Sequence, residues 1–349
     1  MQTVSNGNTP NGGSTTVVES HLVQKTTMRA IVQDAYGSSE VLELRDIDQP
    51  EIGADDVLVR VRAAAVNPGD WAIMGGLPYI ARPVYGLRTP KNGVRGTDVA
   101  GEVEAIGTSV TRFRPGDEVF GWCQDLGGAF AEYASVSEDA LVQKPTNLTV
   151  EQAAAVPMAG LVALEALRDV RAGQTVLVNG ASGGIGTFAV QIAKSSGADV
   201  TGVCSTSNVD LVRSIGADQV IDYTKEDFTQ MEQRYDLILD NVGNHSLSDL
   251  RGALTRKGTL VPNGGGFQNR WFASGGRVVS AKVLSPFVNQ TLRTFIISPK
   301  RENLQYLREL IEAGTVTPVI DQTYPLSETA LAIDHVGGGH ARGKVVITV

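Results

Sequence analysis

Cysteine is nearly absent from this chain: Cys123 and Cys204 are the only two in 349 residues. Two distant thiols set among apolar neighbours cannot build a disulfide framework, a C-x-x-C motif or a four-cysteine metal site, and small core residues is the reading that fits them. Histidine is equally scarce. His21, His245, His335 and His340 are scattered without metal-ligand spacing. No cluster of Lys or Arg interrupts a formal charge of −8, so the chain carries no electrostatic footprint for nucleic acid and no basic face for a membrane. Long apolar runs are missing too. The longest, Ala153–Leu164, meets Glu165 at once and is too short to cross a bilayer. The polar leader Met1–Thr27 has no secretory h-region and is expected to be a disordered tail, neither signal nor transit peptide. A cytoplasmic location is the expectation that remains.

What is present is an ordinary globular composition, 42% hydrophobic and 19% charged, long enough for about two domains. Its most informative stretch is Thr175–Gly186, TVLVNGASGGIG. An apolar strand-like run meets a turn of small residues, and a segment of helical spacing begins at Ile185. That order suits a dinucleotide pyrophosphate, because free N–H groups at a helix start bind phosphate and glycine lets it approach the main chain. The strict G-x-G-x-x-G is not met: Ala181 takes the first glycine's place, with Gly183 and Gly186 supplying the others. A second strand, ADVTGVCST, follows at the distance of a β-α-β unit.

From Met28 to about Pro145 the chain reads as short alternating strands (MRAIVQDAY, VLELRDID, DDVLVRVRAAAV, GEVEAIG, GDEVFGW, GAFAEYASV) divided by Gly, Pro and Asp, the texture of a rolled β domain. Thr149 and Gln152 have the spacing of a capping box that starts a helix into AAAVPMAGLVALEALRDV. Strands and helices then alternate as in a doubly wound parallel sheet, with RTFIIS (Arg293–Ser298) as a late strand and NLQYLRELIEAG as a helix. TPVIDQTYPL and KVVITV return to β character. The expected fold is α/β: a tail over 1–27, a β-rich domain over 28–152, an inserted nucleotide-binding domain over 153–298, and a return over 299–349.

In order, AAAVNPGDW, GTDVAGEVEAIG, FRPGDEVFG, GGAFAEY, AAAVPMAGLVAL, GASGGIG, IGADQVIDY and GHARGKVVITV resemble the medium-chain dehydrogenase/reductase superfamily, in its zinc-free quinone-oxidoreductase-like branch. The resemblance spans Met28 to Val349. It implies a GroES-like catalytic domain, a Rossmann domain, an active site between them, and a homodimer through edge strands of the Rossmann sheets. Zinc-dependent relatives bind their metal through cysteine, histidine and cysteine, and the matching positions here are Asn67, Thr97 and Met158. An amide, a hydroxyl and a thioether make no catalytic zinc site.

The cofactor implied is NADPH. The second nucleotide-binding strand ends in Ser205-Thr206-Ser207-Asn208 rather than in the acid that selects NAD. By resemblance Ser205 and Tyr223 contact the 2′-phosphate, although Ser207 stands where many relatives carry a cation. Ser205 also reads as an N-cap of VDLVRSIG, and Tyr223 as a loop ring. Ser182, Gly183, Gly184 and Ile185 are expected along the pyrophosphate. Gly265, Gly266 and Phe267 are expected near the nicotinamide, and His340, Ala341 and Arg342 over the site from the C-terminal segment.

Asn67 and Tyr79 are the catalytic candidates. The Asn67 amide can donate to an acceptor carbonyl or hold the nicotinamide ribose, or it can cap the turn before Pro68. Asp70 reads as a helix cap. Tyr79 matches a proton-donating tyrosine of related enoyl reductases, or serves as an aromatic lid. Trp71 and Tyr85 are expected to shape the acceptor pocket, and Phe267 and Trp271 to cover the nicotinamide side. The implied activity is hydride transfer to a quinone or an α,β-unsaturated carbonyl. A zinc-free alcohol/carbonyl oxidoreductase and a catalytically idle NADPH-binding protein are the alternatives.

Overall fold

The computed structural model describes residues 26–124, 127–263, 271, 280–281, 284–285, 288–295 and 297–349. Alternation decides its N-terminal half. In β3 (Asp56–Val66) Val57, Val59 and Val61 point inward at 0–2% exposure, so one face of the strand is committed to a core. Before it, β1 (Thr27–Gln33) and β2 (Leu42–Asp48) pair antiparallel as a separate ribbon. After it, helix α1 (Pro68–Met74) and the short α2 (Arg82–Tyr85) interrupt the strands. The strands then resume with β4 (Asp98–Ile106), β5 (Glu118–Trp122), β6 (Tyr133–Ser137) and β7 (Leu141–Gln143).

Thr149 caps α3 (Val150–Ala154) as its spacing predicts: its hydroxyl accepts from Gln152 N at 3.3 Å, and Gln152 Oε1 accepts from Thr149 N at 3.0 Å. The single long helix expected to follow is divided. Pro157 has no N–H to continue α3, so a new helix, α4 (Pro157–Leu167), starts there.

Next come β8 (Thr175–Asn179), α5 (Gly184–Ser195), β9 (Asp199–Cys204), α6 (Val209–Ser214), β10 (Gln219–Asp222), β11 (Tyr235–Asp240), α7 (Leu247–Gly252), β12 (Leu254–Pro262) and β13 (Thr291–Leu292). The strands form one parallel sheet in the order β10-β9-β8-β11-β12-β13. Counted from β8 this is the doubly wound order 3-2-1-4-5-6, whose direction reverses between β8 and β11 and opens a crevice at their carboxyl ends. The late strand lies two residues before the expected RTFIIS. Arg293 N still donates to Leu260 O at 2.9 Å, while its side chain turns to Asp169 (2.6 Å) and the Ala166 carbonyl.

Beyond the helix Arg301–Glu312, β14 (Ile320–Pro325), the helix Thr329–Gly337 and β15 (Lys344–Thr348) complete the chain. β15 pairs antiparallel with β3, joining the C-terminus to the first β-rich sheet in the order β14-β15-β3-β4-β5-β7. A continuous apolar core runs beneath both sheets, from Val59 and Phe120 through Leu161 to Phe188 and Val346.

Candidate active site

The nucleotide crevice begins with its glycine turn. Gly183 is extended (φ −81°, ψ 174°) and Gly184 opens α5, whose first-turn N–H groups have no intrahelical acceptors. Gly186 cannot be replaced by a larger residue without moving the turn, because a Cβ there would lie 2.1 Å from the Gly180 carbonyl oxygen. This close packing leaves the tight, amide-lined turn that a pyrophosphate needs, so the residues present fit the cofactor. The C-terminal segment meets the same turn: Gly343 N donates to Ser182 O at 2.8 Å, and Gly183 bridges Gly343. Gly343 has φ +97°, and a Cβ would sit 2.3 Å from Val319 O. Only glycine turns the chain there from His340-Ala341-Arg342 into β15. His340 and Arg342 are exposed, Ala341 is half-buried, and the Arg342 N–H is held by Asp321 at 3.1 Å.

At the end of β9 the hydroxyls collect as expected. Asn208 Nδ2 donates to both Ser182 (3.1 Å) and Ser205 (3.2 Å), tying the glycine turn to the strand end. Ser205 is not the cap of α6. A single 3₁₀ turn, Thr206–Asn208, intervenes and makes Asn208 the N-cap residue. Tyr223 N donates to Cys204 O at 3.1 Å, which brings its backbone to the end of β9, and its side chain is exposed. Asp222, opposite Cys204 at the end of β10, has its carboxyl held well below the usual range by Thr206 first, then by Thr224 and Lys225. Gly265, Gly266 and Phe267 lie outside the described residues.

At the floor of the crevice, Asn179 Nδ2 donates to Asp240 Oδ1 at 2.9 Å, joining the ends of β8 and β11. The two thiols are buried and protonated, burial pushing Cys123 up to about 12 and Cys204 up to about 11.

Asn67 and Thr97 come together and Met158 joins them only through its backbone N–H, and the group at the centre is a lysine. Lys344 Nζ donates to Asn67 Oδ1 at 2.5 Å, to Val66 O at 3.3 Å and to Asp98 Oδ2 at 3.3 Å. Asp98 Oδ2 also accepts from Asn67 Nδ2 at 3.1 Å, and Asp98 Oδ1 from Met158 N at 3.1 Å. Asn67 Nδ2 makes a second bond, to Thr97 Oγ1 at 3.2 Å. Lys344 and Asp98 are 3% and 0% exposed, so this ion pair is shut away from water. Burial pushes the Asp98 carboxyl up, while Lys344 and three hydrogen bonds oppose the rise.

Asp70 lies in the same electrostatic neighbourhood and is also buried. It caps α1 by accepting from Asn67 N at 2.7 Å, and burial pushes its carboxyl up to about 7. Asp98 and Lys344 escape the motif reading. Their trace in the sequence is an acid that opens DVAGEVEAI and a lysine that opens the apolar KVVIT.

Tyr79 lies apart from that network, in a 3₁₀ turn after α1. Its ring meets Trp271 edge-on at 5.4 Å, and the Arg82 guanidinium stands 4.7 Å over it and 4.8 Å over Tyr36. Around it Ile80, Val84, Leu87 and Trp271 are each more than 60% exposed, an apolar rim. Tyr85 is half-buried within this segment. Trp71 packs elsewhere: its indole lies against Gly337 of the C-terminal helix, where a Cβ would come within 2.4 Å, so it joins helices rather than lining an acceptor pocket. Among the described residues no three His, Cys, Asp or Glu gather as a metal site.

A parallel 3-2-1-4-5-6 sheet with a glycine turn at its switch point, joined to a GroES-like β domain, defines a dinucleotide-dependent oxidoreductase. Residues 53–146 match the alcohol dehydrogenase GroES-like domain, and residues 215–347 match the family described as zinc-binding dehydrogenase. The chain is 36% identical to human mitochondrial NAD(P)H oxidoreductase RTN4IP1, over 93% of this chain and 90% of that one. It is 34% identical to the chloroplastic NADPH-dependent alkenal/one oxidoreductase of Arabidopsis thaliana, over 92% and 79%. Among solved structures, the quinone oxidoreductase from Coxiella burnetii superposes with a TM-score of 0.81 at 31% identity, covering 93% of this chain and all of that one. The chain therefore belongs to the medium-chain dehydrogenase/reductase superfamily, in its quinone-oxidoreductase-like branch.

Proposed function

We propose that this NAD(P)H-dependent oxidoreductase is a zinc-independent NADPH reductase of conjugated acceptors, a quinone or an α,β-unsaturated carbonyl. The observation that carries the reading is the hydrogen-bonded network of Asn67, Thr97, Asp98 and Lys344. In it Asn67 and Thr97, which match ligand positions of zinc-dependent relatives, are bonded to each other, and Asn67 also to Asp98 and an ammonium ion. Without a Lewis acid, the acceptor must be polarised by hydrogen-bond donors. NADPH supplies the hydride when bound.

Ser182, Gly183, Gly184 and Ile185 would hold its pyrophosphate, and Ser205 and Tyr223 its 2′-phosphate. His340, Ala341 and Arg342 would close over it, with Gly265, Gly266 and Phe267 at the nicotinamide. Asn67 orders the reacting side of the site. Tyr79 would cover a planar acceptor or, for an enone, give a proton to carbon. The exposed apolar rim of Ile80, Val84, Leu87 and Trp271 suits an apolar ring system. The chemistry of relatives named for quinones and for alkenals supports the same class. The reading includes a homodimer, with β13 at the sheet edge as the place where a second sheet would continue, and a cytoplasmic location.

The test is NADPH oxidation against a panel of quinones, enones, enoyl thioesters and aldehydes, with zinc measured in the same preparation. We expect turnover of a quinone or enone, insensitive to chelators, from protein without stoichiometric zinc. Turnover of aldehydes alone would make the chain a zinc-free carbonyl oxidoreductase. Tightly bound NADPH with no turnover would make it an idle nucleotide-binding protein. One zinc per chain would overturn the metal-free reading.

A further inference from the structure

The hydrogen-bond network around Asn67 leaves one donor over, and that donor is not Asn67. A lysine ammonium can only donate, so the Asn67 atom 2.5 Å from Lys344 Nζ is the amide oxygen. This fixes which way the amide points. The two protons on Asn67 Nδ2 then go to Asp98 Oδ2 (3.1 Å) and Thr97 Oγ1 (3.2 Å). Asp98 confirms the direction, because its carboxylate accepts from Asn67, Lys344 and Met158 N and has nothing to give. Asn67 therefore has no proton left for an acceptor. The Thr97 oxygen is an acceptor in its bond to Asn67, so the Thr97 hydroxyl proton is the unspent one. Among the described residues no acceptor takes it, and Thr97 is only partly buried, unlike Asp98 beside it.

The same network ties this hydroxyl to the glycine turn. The Lys344 stem runs along the glycine turn, where a Cβ on Gly184 would meet its Cδ at 3.1 Å, and Lys344 Nζ reaches Asn67, which holds Thr97. Turn, lysine, amide and hydroxyl form one contiguous chain of contacts.

We propose that Thr97 Oγ–H is the catalytic donor that polarises the acceptor oxygen, with Asn67 and Lys344 as the positioning residues that aim it. This deepens the reductase reading and rests on it. The hydroxyl keeps its proton throughout. It donates a hydrogen bond to the oxygen on which negative charge develops as hydride arrives, and water or another acid completes the reduction. A donor held by a buried network meets that charge without reorganising, which is the condition under which a single hydrogen bond has a large effect on rate.

Three variants test this, and the two at Thr97 are also read without turnover. Thr97→Val keeps the shape and removes the hydroxyl. Its kcat/KM should fall by roughly ten- to a thousandfold on whichever acceptor the wild type reduces, the scale for one positioned donor. NADPH Kd should stay within about twofold, an equilibrium shift well under one decade. Independently, 4-nitrophenol serves as an oxyanion analogue read by absorbance. Bound to the wild type it should titrate about one pH unit or more below free 4-nitrophenol, a tenfold preference for the phenolate.

That depression should vanish in Thr97→Val and persist in Thr97→Ser, which also guards against a folding defect in the valine variant. Asn67→Ala, which leaves the hydroxyl but loosens it, should lose less than Thr97→Val. A valine variant that keeps both rate and phenolate preference overturns the proposal, as does a serine variant that loses them or a wild type that shows no phenolate preference. A larger loss in Asn67→Ala than in Thr97→Val would transfer donation to Asn67 and also overturn it. Failure of the reductase reading shows separately, as absence of turnover across the acceptor panel.

Discussion

Lys344→Met is expected to lower the free energy of unfolding by about 3–5 kcal/mol at neutral pH, the cost of leaving one partner of a buried ion pair alone. Asp98 is 0% exposed and its pair with Lys344 is 3.3 Å long, so the carboxylate gains no water when the ammonium is removed. The effect also has a direction in pH. Burial already raises the Asp98 carboxyl above its ordinary value, with Lys344 as the leading force against the rise. Removing Lys344 raises it further. An acid whose folded pKa lies above its unfolded value loses stability as pH rises from the unfolded value through the folded one. The deficit of the variant should therefore be larger at pH 8 than at pH 5. Urea unfolding at the two values measures it. A deficit below about 1 kcal/mol that is the same at both, the scale of an exposed pair, would contradict a buried role for Lys344.

Ser205→Asp should reverse the cofactor preference. In the wild type, NADPH is expected to bind several-fold tighter than NADH, because β9 ends in hydroxyls of Ser205 and Ser207 with the Asn208 amide behind them. An acid at 205 would face the 2′-phosphate and repel it, while offering the free 2′-hydroxyl of NADH an acceptor. Like charges brought together at a binding surface cost several kcal/mol, so NADPH should weaken by roughly a hundredfold. Fluorescence titration of both nucleotides decides it. Tighter NADH binding in the unmodified protein would remove the basis for NADPH selection.

Most of the architecture can be read from the sequence because it rests on local patterns. Alternation in DDVLVRVRAAAV sends Val57, Val59 and Val61 to the core, and the Thr149/Gln152 box starts α3 at the expected residue. The glycine turn stands between β8 and α5 where its strand-turn-helix order puts it. The misreadings have local causes as well. A capping argument names a residue type but not the extra 3₁₀ turn that passes the cap of α6 from Ser205 to Asn208. Apolar content marks RTFIIS as strand, yet among the described residues the pairing with β12 covers Thr291 and Leu292 and ends with the Arg293 N–H bond to Leu260 O.

The candidate site is legible only in part. Asn67 and Thr97 are visible because their motifs match a ligand set, but what they do depends on Lys344, more than two hundred residues away in sequence. Periodicity gives no account of which donors are spent on which acceptors, and that count is what distinguishes Asn67 from Thr97. Likewise, Arg82 meets Tyr79 at an i, i+3 spacing, but its contact with the Tyr36 ring, far off in sequence, follows from no local pattern.

On the proposed chemistry, hydride passes from the nicotinamide to a conjugated carbon framework or to a quinone, and an isotopic label follows it. The protein, supplied with NADPH deuterated at the transferable C4 position and an α,β-unsaturated ketone, should yield a saturated ketone carrying the deuterium at the carbon β to the carbonyl. With a quinone, one NADPH should be consumed per hydroquinone formed. Deuterium found on the carbinol carbon of an allylic alcohol, with the double bond intact and no quinone reduced, would contradict the account.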